Sequence, residues 1–188
     1  MSEAIKAVTP PRGLPKAPPN GLIAAVMLAF LATAGLFYVN IMAAIVDGLI
    51  SGLGFTAGQA GQIGSVNIYG AAAGALLSVF LVKRLPWKAL ALGCLLVLIA
   101  IDLASIGITT YEVMFPVRLI HGVFGGVLTG TGFAVIARTA NPDRTFGMLV
   151  FVQFGLGGLA VMVPVSYTTL TLPTLVPSRT RARPLITP

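Results

Sequence analysis

The sequence predicts an all-α integral membrane protein, and three observations carry that prediction. Hydrophobic residues fill 56% of its 188 positions and charged residues 9%, too little polar surface for a water-soluble domain. The apolar residues fall into runs long enough to cross ~30 Å of hydrocarbon. The basic residues fall between those runs in short clusters, the placement that sets orientation in a bilayer. A net charge of +7 distributed in this way argues for a lipid-bilayer partner and against nucleic acid.

Residues 1–20 hold five prolines and three basic residues with no sustained apolar period, the composition of a disordered tail. The first spanning helix is expected over 21–46, with Thr33, Tyr38 and Asn40 as its polar features. Asp47, Gly48, Gly52 and Gly54 mark an exit loop. A second helix over 56–82 puts Gln59, Gln62 and Tyr69 near one face, and Gly70, Gly74 and the surrounding alanines form a small-residue packing surface. Lys83, Arg84 and Lys88 belong to a short basic turn in which Trp87 suits the headgroup region. A third helix over 89–108 carries Asp102 near its far end, and a tight turn at Thr109–Glu112 leads to a fourth over 112–137. The loop Arg138–Arg144 contains Asn-Pro-Asp, a turn followed by a helix start, and a fifth apolar run covers 145–165.

If the five runs span, Lys6, Arg12, Lys16, Lys83, Arg84, Lys88, Arg138 and Arg144 share one side. The opposite loops hold only Asp47 and Glu112, so the N-terminus is expected in the cytoplasm. Residues 166–188 break the pattern: they are rich in Thr and Pro, and Arg179, Arg181 and Arg183 would stand on the wrong side. The segment VSYTTLTLPT at 165–174 resembles a peptide made by translating sequencing-adapter DNA. An unstructured, non-native tail is therefore expected from 166 onward, a natural flexible tail being the alternative.

The most informative stretch is FPVRLIHGVFGGVLTGTG at 115–132, apolar yet holding Arg118 and the chain's only histidine, His121. A charge at the centre of a membrane helix costs about 3 kcal/mol or more, so it faces protein or a water-filled cavity. Gly122, Gly126 and Gly130 follow Arg118 at steps of four, a stripe on which another backbone can approach closely. Asp102 and Arg118 lie at similar distances from the turn between their helices, so they could pair; otherwise Asp102 reaches outer water alone. His121 shares the Arg118 side of the helix, and either proton coupling or simple hydrogen bonding suits it. Asn40, Gln62, Asn67 and Tyr69 are candidates to line a polar cavity, and the alternative for each is interhelical bonding worth under ~2 kcal/mol.

Enzyme chemistry finds no foothold. One His, one Cys and no clustered carboxylates assemble neither a metal site nor a nucleophile–base set, and no cofactor motif is present in the sequence. Cys94, alone in an apolar run, reads as a packing residue.

From Gly21 to Pro164 the chain resembles the N-terminal half of a major facilitator superfamily transporter. Arg118-Leu-Ile-His-Gly122 is similar to the family's fourth-helix R-x-x-x-G pattern, and GLGFTAGQAGQIGSVNIYGAAAGALLSVFL to its exit loop and second helix. In the family's gating-loop motif, G-x-x-x-D-[RK]-x-G-[RK]-[RK], Val79 stands at the first glycine, Lys83 at the aspartate and Pro86 at the second glycine, while Arg84 and Lys88 keep basic character. The fifth run lacks the Gly-Pro pair of the antiporter motif. The resemblance implies five helices of a six-helix bundle in a bacterial inner membrane, with the matching arginine along the central path. It implies a small solute, proton coupling as one option, alternating access between two halves, and a missing C-terminal half without which this chain is inactive. The competing expectation is a non-transporting membrane subunit that docks partner helices on the Gly70/Gly74 and Gly122/Gly126 faces.

Overall fold

The computed structural model describes residues 21–171, and all of its regular structure there is helical. Six helices follow in order: α1 Leu22–Asn40, α2 Met42–Leu53, α3 Ala57–Arg84, α4 Trp87–Ser105, α5 Tyr111–Ile136 and α6 Pro142–Thr171. Among the described residues α1, α3, α4 and α5 are long and apolar enough to cross a membrane. The expected tail at 1–20 and the arginines at 179, 181 and 183 lie outside the described residues.

The first apolar run is broken and longer than expected. The ladder yields only at Ile41 (φ −103°, ψ 11°), where Met42 packs against Gly64 of α3, and resumes at once with Ile45 N–H to Ile41 O at 3.0 Å. The loop expected from Asp47 is helical instead. Glycines there cost up to ~1 kcal/mol each, but Ser51 Oγ donates to Asp47 O at 2.8 Å and Leu49 buries against Phe55 and Ile63. The helix stops at Gly54, whose φ of +70° is left-handed and open to glycine without steric cost.

Other boundaries move for local reasons. Thr56 caps α3: Gln59 N–H reaches its Oγ1 at 3.2 Å, and its own N–H reaches Gln59 Oε1 at 3.0 Å. Gln59 is thus a capping residue. The basic turn shrinks to Leu85 and Pro86, with Lys83 and Arg84 in the last turn of α3, where positive charge favours the helix end. Lys88 Nζ lies 5.6 Å from the Trp87 ring centroid. The turn before α5 covers 106–110, earlier than expected. Pro142 opens α6, as a proline suits a first helical position, and the helix continues to Thr171, past the expected end at 165.

The packing is built on α5, the most buried of the four candidate spans. Gly70 and Gly74 of α3 meet the backbone of Leu119 and Val123, while Gly122 and Gly126 of α5 meet the backbone of Asn67 and Ala71. A side chain at any of these four would strike main chain, so the two helices lie backbone to backbone. The two expected docking faces are spent on each other.

Ascending register along that seam makes α3 and α5 parallel. Tyr38 beside His121, with Ala32 under Gly132, makes α1 antiparallel to α5. Asp102 beside Arg118, with Cys94 and Leu98 clustered on Val127 and Leu128, makes α4 antiparallel to α5. Gly21 and Leu22 share a small cleft with Thr139 to Arg144. One end of the bundle therefore carries residue 21, Lys83–Lys88 and Arg138–Arg144. The other end carries Asp102 and Glu112.

Large apolar side chains cover the outside of the helices, among them Phe80 (66% exposed), Leu103 (64%) and Phe151 (75%). A surface of that kind is stable in lipid and a liability in water. The chain is multi-pass membrane protein in character.

Candidate functional site

Four helices bring polar side chains together in the half of the bundle opposite the basic loops. Arg118 lies seven residues into α5, roughly 10 Å along the helix at 1.5 Å per residue, and its side chain is only 14% exposed. Its Nη1 donates to Asp102 Oδ1 at 3.1 Å. Asp102, one turn from the end of α4, is 57% exposed at the side chain. The two charges lower each other's cost in a low-dielectric setting.

His121, one turn further along α5, places Nε2 3.4 Å from the same Asp102 oxygen. Its Nδ1 is 3.0 Å from Asn67 Nδ2, which also donates to the Arg118 backbone oxygen at 3.0 Å. Asn67 is 2% exposed and His121 7%. Tyr38 of α1 closes the group: its ring centroid lies 5.4 Å from that of His121 and 5.3 Å from the Arg118 guanidinium carbon. An aromatic face at that distance stabilises a guanidinium by about 0.5–2 kcal/mol. The buried Tyr38 hydroxyl has no hydrogen-bond partner among the described residues.

The structure thus gathers Arg118, His121, Asn67 and Asp102 and leaves the other candidates apart. Asn40 belongs to α1 but turns to α6, where its Nδ2 donates to Gln153 O and its Oδ1 accepts from Gln153 Nε2, both at 3.3 Å. This amide pair borders an open groove of about 540 Å³ with Phe154, Gly157 and Gly158. Gln62 accepts from the Tyr111 hydroxyl at 2.6 Å. Tyr69 points away from the protein, 72% exposed. Lys83, Arg84 and Lys88 stand at the far end of the bundle.

Tyr38 is the member that sequence reasoning missed. It stands two residues before Asn40 in an apolar run, and only the crossing of α1 over α5 brings it to Arg118. Cys94 packs in the α4–α5 core with Leu98, Val127 and Leu128.

Comparison of the chain with protein-family models, curated proteins and solved structures finds no match.

Proposed function

We propose that this chain forms the first helical bundle of a secondary transporter of the major facilitator type, moving a small solute across a bacterial inner membrane by alternating access. The observation that carries the proposal is the polar cluster in which the Asp102–Arg118 ion pair meets His121 on the central helix hairpin, bounded by Asn67 and Tyr38. A membrane protein holding an arginine at this depth spends it on a pathway or on structure, and intramembrane charges mark solute and ion routes more often than not. The R-x-x-x-G pattern of the resemblance falls on α5, the helix against which α1, α3 and α4 pack. Its arginine heads the cluster.

In this account α6 is the fifth span, the N-terminus is cytoplasmic, and the basic end of the bundle faces the cytoplasm. Arg118 exchanges Asp102 for an anionic group of the solute, or answers a change in the protonation of the cluster, as the bundle rocks against a second one. The unpaired Tyr38 hydroxyl supplies a further hydrogen-bonding group beside the guanidinium. The rival account, a subunit that docks partner helices on its glycine faces, loses support because those faces are already packed together.

The test is the reading frame itself. Resequencing the 3′ end of the gene should restore the seven helices that complete two six-helix halves. A verified stop after the tail, in a gene that still confers solute uptake, would contradict the two-bundle mechanism.

A further inference from the structure

We infer that Asn67 locks His121 in the tautomer whose single ring proton sits on Nε2 and points at Asp102. The inference stands on side-chain geometry and does not depend on the transport reading.

The backbone oxygen of Arg118 only accepts hydrogen bonds, so the Asn67 atom 3.0 Å from it must be the amide nitrogen, not the amide oxygen. That same nitrogen lies 3.0 Å from His121 Nδ1. An amide NH₂ only donates, so Nδ1 must present its lone pair. In neutral imidazole the proton then belongs to Nε2, which faces Asp102 Oδ1 at 3.4 Å. The carbonyl orients the amide, the amide selects the tautomer, and the tautomer aims the proton.

All elements packed on the ring agree with this assignment. Asp102 from α4 is an acceptor facing Nε2, Arg118 from α5 is a cation holding the same carboxylate oxygen, and Tyr38 from α1 offers its ring rather than its hydroxyl as the contact described. Asn67, the contribution of α3, is the one group among the described residues that addresses Nδ1. Turning the amide over would set its oxygen against the Arg118 carbonyl, so the orientation resists reversal. Asn67 is in this sense a positioning residue: it makes His121 a neutral donor that shares Asp102 with Arg118, and links α3 to the carboxylate of α4.

Because His121 is the chain's only histidine, labelling histidine alone with heavy nitrogen and carbon leaves two ring nitrogens, told apart by their bonded carbons: Nδ1 couples to Cγ and Nε2 to Cδ2. In the full chain, in lipid bilayers at neutral pH, Nε2 should show a protonated, pyrrole-type shift and Nδ1 an unprotonated, pyridine-type shift. A wild-type spectrum with the proton on Nδ1, or with both nitrogens averaged, overturns the inference without recourse to any variant. Asn67→Asp presents only acceptor oxygens and should protonate Nδ1 as well, giving two pyrrole-type nitrogens. Asn67→Leu, which leaves only Asp102 to direct the proton, should raise the fraction carried on Nδ1. A histidine spectrum unchanged by either substitution would equally overturn it, since a purely packing role leaves the tautomer where it was.

Discussion

Arg118 Nη1 lies 3.1 Å from Asp102 Oδ1, yet the two side chains differ in exposure, 14% against 57%. The arginine is the member held inside, and the aspartate reaches the end of its helix. Removing one partner of a buried pair costs about 3–5 kcal/mol when the charge left behind cannot be solvated. Asp102→Ala leaves the enclosed guanidinium with only the Tyr38 ring, whereas Arg118→Ala leaves a carboxylate near the interface. Asp102→Ala should therefore lower the thermal stability of the detergent-solubilised protein more than Arg118→Ala does. Equal losses, or the reverse order, would show that the exposure difference does not govern the pair.

The glycine seam makes a second prediction. At Gly74 and Gly126 an added Cβ meets the backbone of Val123 and of Ala71, so no rotamer change relieves it. Overpacking of this kind costs about 1–3 kcal/mol or more. Gly74→Val and Gly126→Val should each lower the melting temperature sharply, while Gly93→Ala, with nothing within 4 Å, should leave it nearly unchanged. Comparable behaviour of all three would mean that the close approach of α3 and α5 is not what holds the bundle.

What could be read from the chain divides along physical lines. Hydropathy marks the spans because lipid demands long apolar runs, and the turn between α4 and α5 puts Asp102 and Arg118 at matching depth. The helical stretch from Asp47 to Leu53 was hidden, since Asp, Gly and Ser form poor helices until Leu49 finds its pocket. Asn67 was a candidate from the sequence, but its partner was hidden, and so was the place of Tyr38 beside the cluster. Which residue of α3 or α1 meets His121 depends on register between distant segments; the glycine stripes are visible along each helix, but which stripe meets which, and at what offset, is not. Of the two readings open for Asn40 and Gln62, the pairs they make with Gln153 and Tyr111 match interhelical bonding; Asn40 is half-buried and Gln62 exposed.

Orientation is tested with cysteines. In a Cys94→Ala background, single cysteines at Lys83, Lys88 and Arg138 should resist an impermeant thiol reagent added to intact cells and react after the cells are opened. Labelling of these positions from outside would invert the topology and place the Asp102–Arg118 end in the cytoplasm.

The central claim is that Arg118 serves solute movement and not only the α4–α5 contact. Arg118→Lys tests it most directly, since lysine keeps the charge but loses the planar fork that binds a carboxylate or phosphate in two places. The measurement is uptake of labelled anionic, neutral and cationic solutes by cells expressing the two-bundle protein that the proposal requires, with membrane levels of each variant measured alongside. The account predicts normal levels of Arg118→Lys with uptake reduced at least tenfold, a loss of about 1.4 kcal/mol or more in the rate-limiting step. Full uptake by a well-expressed Arg118→Ala variant would contradict it.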